Sequence, residues 1–169
     1  CGALLGTLLR DEGYCFAQAG AFIERADNTA RILDVKYHVL LPSHEMIGGG
    51  LDSYQWETIL RSVSAHRSYR HVYKDSYKPW NVAEFLILRP EMPRSLRFSY
   101  EWIDRALKGL QQSTIGGTKT RQHCANVLAD LQPDQMSPIF QGGLHEFLTG
   151  FIQRNNHTAT LIADEFYFQ

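Results

Sequence analysis

The sequence predicts an all-α fold, an antiparallel helical bundle of about five to seven helices, of which two are long. Three observations support this prediction. Apolar residues recur every three or four positions along most of the chain, which is the spacing of one face of an amphipathic helix. No segment of the sequence has the two-residue alternation, bounded by turn residues, that is typical of a strand. The breaks between periodic segments are short, as between antiparallel neighbours.

The first long helix is predicted over residues 14–41, and its part 22–41 contains neither Gly nor Pro. Pro42 ends this helix, because the residue before a proline avoids the α region. An apolar stripe runs along one side and consists of Phe22, Ile23, Ala26, Ala30, Leu33 and Tyr37. The opposite side carries polar residues and charges of both signs, namely Glu24, Asp27, Asn28, Arg31, Asp34 and His38. The apolar face is expected to pack against the core.

Turn residues divide the rest of the chain into further helices. Ser53 is a candidate N-cap for the second helix, and Asn81 is one for the third. The pair Gly142-Gly143 is expected to weaken the last helix, which is the second long one. The predicted helices after the first span residues 55–72, 81–88, 94–112, 118–131 and 139–166. Together the helices are expected to form a single domain over residues 1–169.

The composition argues against several classes of protein. Lys and Arg number 17 against 18 Asp and Glu, so a basic surface for nucleic acid is not expected. No apolar run approaches the ~20 residues of a membrane-spanning helix, so no membrane association is expected. Cys1, Cys15 and Cys124 form no Cys-x-x-Cys pair, which favours reduced thiols and a cytoplasmic location.

The charged face of the first helix has two interpretations. The first is a solvent-exposed surface with ion pairs such as Asp27–Arg31 and Asp34–His38, each worth about 0.2–0.5 kcal/mol. The second is a polar network that is buried against other helices and hydrogen-bonded there.

The second predicted helix favours the buried network. Its apolar stripe is continued by Arg67 and Arg70, and His66 lies beside them. The stripe itself consists of Trp56, Ile59, Leu60 and Val63. Inward-facing basic groups need carboxylate partners, because an unpaired buried charge is very costly. Glu24 and Asp27 are the candidate partners, unless the bundle opens to water here and the arginines extend into it.

The last predicted helix carries two amides, Asn155 and Asn156, on or at the edge of its apolar side. A buried amide needs hydrogen-bond partners, so one of them is expected to join helices or to line a polar pocket. No metal or cofactor is expected, because no Glu is followed by His three residues later, as in di-iron bundles.

The segment at residues 22–34, Phe-Ile-Glu-Arg-Ala-Asp-Asn-Thr-Ala-Arg-Ile-Leu-Asp, resembles the signature of the bacterial alpha-E domain family. That family is all-helical and is named for a Glu-Arg motif, to which Glu24 and Arg25 correspond. Further similar segments begin at Gln55, Phe85, Met92 and Gly143. Members of the family are longer, and the chain begins with Cys1 rather than Met. The resemblance therefore implies the C-terminal half of a longer protein.

The resemblance implies a function through gene context. Genes of the family accompany ATP-grasp ligases and transglutaminase-like proteins, which implies a role in making or processing peptide or amide linkages. The leading hypothesis is an accessory helical module that binds such a partner protein or its peptide substrate. The candidate residues for binding or for a polar network are Glu24, Arg25, Asp27, Asn28, Arg31, Asp34, His66, Arg67 and Asn155.

Two alternatives stay open at this point. The first is an enzyme acting on peptide or amide bonds, with Glu24 or Asp27 as its general base. Its carboxylate or oxyanion anchors would be Arg25, Arg31 or Arg67. The second is that the face with Glu24 and Arg25 only holds helices together.

Overall fold

The computed structural model describes residues 7–39, 50–74, 77–113 and 117–166. These ranges contain α-helices and turns and no strand, so the all-α prediction is confirmed. Eight α-helices have both ends in the described ranges: α1 Glu12–Val39, α2 Gly50–Ser62, α3 His66–Tyr73, α4 Pro79–Ile87, α5 Leu96–Ser113, α6 Thr118–Ala129, α7 Met136–Gly142 and α8 Leu144–Glu165. Among the described residues, no helix is long and apolar enough to cross a lipid bilayer.

Helices α1, α5, α6 and α8 form an antiparallel four-helix bundle in which each helix packs against two others. Phe22 of α1 stacks on Trp102 of α5 at 5.5 Å between ring centroids. Further along α1, Thr29 bonds to the residue Arg94, which precedes α5, so these two helices run in opposite directions. The predicted apolar stripe of α1 faces this core, and its buried members are Phe22, Ala26, Ala30 and Leu33.

Helices α2, α3 and α4 cover one end of the bundle, where α2 contacts α1 and α4 contacts α5. An aromatic cluster holds this end together. The Tyr69 ring is fully buried and lies 4.9 Å from Tyr73, 5.7 Å from Tyr77 and 5.5 Å from Phe85. Burial raises the pKa of Tyr69 to about 12, because the charged phenolate is disfavoured away from water. This cluster fixes α3 against α4.

The prediction of one continuous helix over residues 55–72 is wrong. Helix α2 begins earlier, at Gly50, and it ends at Ser62, while α3 begins at His66. Ser64 between them has a positive φ of 58°, a left-handed conformation that interrupts the helix. The interruption changes which side of the following helix faces the core.

Arg67 and Arg70 are therefore exposed, contrary to the prediction that they continue the inward stripe. Tyr69 takes the inward position of α3 instead. The large aromatic ring contributes more on burial than a guanidinium could, because a buried charge loses its hydration. The expected buried pairing of these arginines with Glu24 and Asp27 does not form.

The last predicted helix is also divided, and the expected weak point at Gly142-Gly143 is confirmed. Helix α7 ends at Gly142 and α8 begins at Leu144. Gly143 between them has φ 95° and ψ 122°, a combination that L side chains rarely adopt. A Cβ atom at residue 143 would also overlap the Glu146 carboxylate.

We predict that Gly143→Ala lowers the free energy of unfolding by about 1–3 kcal/mol, because alanine cannot take this conformation without strain. Gly142→Ala is the matched control, since a Cβ atom there meets nothing and the residue is helical. The control should be neutral or stabilising by up to about 1 kcal/mol. Urea denaturation of the two variants measures the difference, and equal stabilities would contradict the strained turn.

Candidate functional site

The outward face of α1 consists of Glu24, Asn28 and Arg31, which are exposed to solvent. Arg31 pairs with Asp27, with 2.6 Å between Nε and Oδ2, so the predicted i,i+4 pair is confirmed. The hydrogen bond to the Asp27 carboxylate raises the pKa of the Arg31 guanidinium. The Glu24 carboxylate makes no hydrogen bond or ion pair with any of the residues that the structure describes. For Glu24, Asn28 and Arg31 the geometry therefore supports the first interpretation, a solvent-exposed surface.

Arg25 behaves differently from the neighbouring Glu24. Its Nη1 donates to the backbone oxygen of Pro93 at 3.3 Å, and its guanidinium lies 4.6 Å from the centroid of the Phe22 ring. Partial burial, and after it the nearby charge of Arg94, lowers the pKa of Arg25. The two residues of the Glu-Arg pair thus have separate surroundings: the half-buried arginine bonds to the protein's own backbone, and the glutamate faces water.

Thr29 makes a second contact between α1 and the residues just before α5, next to the one that Arg25 makes. It is fully buried on α1, and its Oγ1 donates to the backbone oxygen of Arg94 at 2.9 Å. Two consecutive carbonyl groups, those of Pro93 and Arg94, therefore bond to side chains one helical turn apart on α1. We call these two hydrogen bonds the α1 clamp. The clamp joins the first helix to the segment that connects α4 to α5.

That segment is a turn at residues 89–95 with its own internal hydrogen bonds. The buried Ser95 Oγ donates to the Arg89 oxygen at 2.6 Å and accepts from the Phe98 amide at 3.0 Å. The Ser95 amide donates to the Met92 oxygen at 2.8 Å. The bond to Phe98 is an N-cap interaction, which explains why α5 begins at Leu96 and not at residue 94.

Sequence reasoning missed Thr29 and Ser95, although each left a signal. Thr29 is a hydroxyl residue between the apolar positions of the α1 stripe, and Ser95 immediately precedes the first apolar residue of α5. Such a placement marks Ser95 as an N-cap. For Thr29 the partner, a backbone carbonyl in a distant turn, is not visible in the sequence.

A groove of about 560 Å³ lies between α3 and the 89–95 turn, and we call it the basic groove. Its apolar lining consists of Val72, Phe85, Met92 and Pro93. Its polar lining consists of Arg67, Ser68, His71, Arg89 and Glu91. A second basin of about 710 Å³ adjoins it, shares Arg67 and His71, and is also lined by Arg61, His66, Arg70 and Lys74. Arg67, a predicted site residue, is thus placed at the junction of two basic depressions.

Two other predicted site residues form structural contacts between elements. Asp34 of α1 lies 2.6 Å from Nδ1 of His145 on α8, while its predicted partner His38 has a side chain outside the described residues. His66 Nε2 lies 2.8 Å from the Tyr77 hydroxyl and 3.4 Å from the Glu57 carboxylate. The carboxylate beside His66 is therefore Glu57 of α2, rather than one from α1.

Asn155 is a fully buried amide that joins three helices of the bundle. Its Nδ2 donates to the Ile23 oxygen of α1 at 3.0 Å, and its Oδ1 accepts from the Tyr100 hydroxyl of α5 at 3.1 Å. Tyr100 also lies 3.0 Å from Thr158 Oγ1, and burial raises its pKa. Asn155 thus acts as the internal structural clamp that the sequence allowed, while Asn156 is exposed.

The acid–base set of the enzyme hypothesis is divided between the first helix, where Asp27 pairs with Arg31, and α3, which carries Arg67. Glu24 and Asp27 line neither of the two basic depressions, and Arg67 belongs to α3, at their junction. A general base normally lies in a cleft close to the groups that position the substrate. Among the described residues, no group of three His, Cys, Asp or Glu side chains is arranged to hold a metal ion.

We predict that Asn155→Ala lowers the free energy of unfolding by about 2–3 kcal/mol, through two lost hydrogen bonds and a small cavity. Asn156→Ala is the matched control at the next, exposed position. It should change stability by less than about 0.5 kcal/mol. Equilibrium unfolding in urea compares the two, and a small effect of Asn155→Ala would contradict its role as a three-helix clamp.

The comparisons with known proteins agree with this description. A family model described as a predicted alpha-helical domain with a conserved ER motif matches residues 1–167. The Glu-Arg dipeptide occurs in this sequence at Glu24-Arg25 and nowhere else. Neither the curated proteins nor the solved structures contain a significant match. The match covers nearly the whole chain, and the chain therefore belongs to the Alpha-E family.

Proposed function

We propose that this domain is a non-catalytic accessory module that binds a protein partner through the exposed face of α1. The partner is an ATP-grasp ligase or a transglutaminase-like protein that makes or processes peptide or amide linkages. The observation that carries this proposal is the division within the Glu-Arg pair. Arg25 bonds to the protein's own backbone, whereas Glu24 faces solvent.

The exposed face is suited to recognition because its backbone is held firmly. The Asn155 amide and the Arg25 guanidinium attach α1 to α8 and to the 89–95 turn. The backbone of such a fixed helix loses little conformational freedom when a partner binds. Glu24 and the Arg31–Asp27 pair display both signs of charge within two helical turns. Such a pattern favours specific recognition over non-specific binding.

The exposure of Glu24 favours binding over catalysis. The Glu24 carboxylate lies in open water, whereas a general base normally lies in a cleft beside the groups that position the substrate. The same exposure allows it to accept hydrogen bonds from an Arg or Lys of a partner, which displaces water on contact. The proposed partner surface therefore carries a basic group opposite Glu24.

We predict that purified wild-type protein binds an ATP-grasp ligase or a transglutaminase-like protein from the same organism. Glu24→Lys should weaken this binding by roughly 10-fold or more, since a like charge then opposes the partner's basic group. Asp164→Lys is the matched control, because it makes the same charge change at an exposed position of α8. Biolayer interferometry with the immobilised partner measures both affinities.

Two outcomes would contradict the proposal. The first is that wild-type protein associates with neither partner. The second is that Glu24→Lys and Asp164→Lys bind equally well. Circular dichroism spectra of the variants check that each retains the helical fold.

A further inference from the structure

The basic groove has an apolar floor that is open to solvent at one side. Phe85 and Met92 are almost fully buried beneath it, whereas Val72 is 39% exposed. Because Val72 is exposed above the buried Phe85 and Met92, apolar surface of the groove is in contact with water. Covering this surface with an apolar side chain from a ligand would be favourable.

The rim of the groove carries positive charge that the described residues do not neutralise. Arg67 and His71 line both depressions, and Lys74 lines the second. These three side chains make no ion pair with any described carboxylate. Other basic groups nearby are paired: Arg61 lies 2.5 Å from Glu57, and Arg89 lies 3.2 Å from Glu91. The unneutralised positive charge is thus that of Arg67 on α3 and of Lys74 directly after it, while His71 adds a ring N–H that can donate a hydrogen bond.

The two features lie side by side on a surface that is already ordered. The 89–95 turn forms one wall, and the α1 clamp and Ser95 hold it in place. The other wall is α3, whose eight residues span about 12 Å. An extended peptide covers that distance with about four residues, at roughly 3.3 Å each.

We propose that the basic groove binds a short acidic peptide segment, in which apolar side chains cover the floor and carboxylates meet Arg67, His71 and Lys74. This ligand is additional to the partner protein of the proposed function, because the basic groove is a second surface, separate from the exposed face of α1. In an extended peptide, successive side chains point to opposite sides. A segment that alternates apolar and acidic residues therefore places its apolar groups together on the floor.

The floor distinguishes a peptide from other anions. Inorganic phosphate would contact the rim and leave Val72 and Met92 uncovered. A nucleic acid would need a longer basic surface than one eight-residue helix offers, and the chain as a whole has a formal charge of −1. Charge complementarity at the rim and apolar burial on the floor together fit an acidic peptide.

Fluorescence anisotropy with the full chain tests the inference. The probe is a labelled hexapeptide of alternating leucine and glutamate, and the comparison peptides are a leucine–glutamine hexapeptide and hexaglutamate. The wild type should bind the probe saturably and both comparison peptides more weakly. Arg67→Glu should weaken probe binding by about 10-fold, and Val72→Ser by about 3-fold.

Arg105→Glu is the matched control, since it reverses the charge of an exposed arginine on α5 that does not line the groove. It should alter probe affinity by less than about 2-fold. Added pyrophosphate should compete weakly, because it does not use the apolar floor.

The inference is overturned if the wild type fails to bind the probe at millimolar concentration, or if Arg105→Glu weakens binding as much as Arg67→Glu. It is also overturned if hexaglutamate or pyrophosphate binds as tightly as the probe.

Glu24→Lys separates this inference from the proposed function, since that variant should lose binding of the protein partner and keep binding of the probe. Loss of probe binding alone, with partner binding intact, refutes the groove and leaves the proposed function standing.

Discussion

The structure depends most on the α1 clamp, the two hydrogen bonds from Arg25 and Thr29 to consecutive carbonyls of the 89–95 turn. Helix α1 packs along both α5 and α8, so its position determines how these two helices are placed in the bundle. The turn joins the helices that cover the bundle's end to α5, and it forms one wall of the basic groove. The clamp therefore fixes the position of the basic groove relative to the core of the bundle. Its acceptors are the backbone oxygens of Pro93 and Arg94, so it does not use the side chains of these two residues.

The clamp gives the Glu-Arg motif a physical explanation. An arginine can donate a hydrogen bond while its planar guanidinium lies over an aromatic ring, and Arg25 does both with Pro93 and Phe22. A lysine would reproduce this combination less well, because its ammonium cannot stack flat on the ring while it donates to the carbonyl oxygen. Glu24 precedes Arg25 on the same helix and is exposed to solvent. The two adjacent residues thus differ in their surroundings: Arg25 bonds to the protein's own backbone and Glu24 faces solvent.

Much of the fold was predictable, because helical periodicity and the break at Gly143 are local properties of the sequence. The inward placement of Arg67 was wrong for a local reason that periodicity cannot detect. A left-handed residue at Ser64 shifts the phase of the next helix, and Tyr69 then takes the buried position. Thr29 was missed because its partner is a backbone carbonyl about 65 residues away. The basic groove depends on both features, so it emerges only from the three-dimensional arrangement.

The most direct test of the clamp is amide hydrogen exchange in Arg25→Ala, compared with Glu24→Ala at the adjacent exposed position. The amides of Met92, Ser95 and Phe98 report on the turn, because each donates a hydrogen bond within it or at its end. We expect Arg25→Ala to accelerate their exchange by roughly 10-fold, with little change in the buried amides of α5 and α8, and Glu24→Ala to leave all rates unchanged. Unchanged protection of the turn in Arg25→Ala, or equal acceleration throughout the bundle, would contradict the clamp.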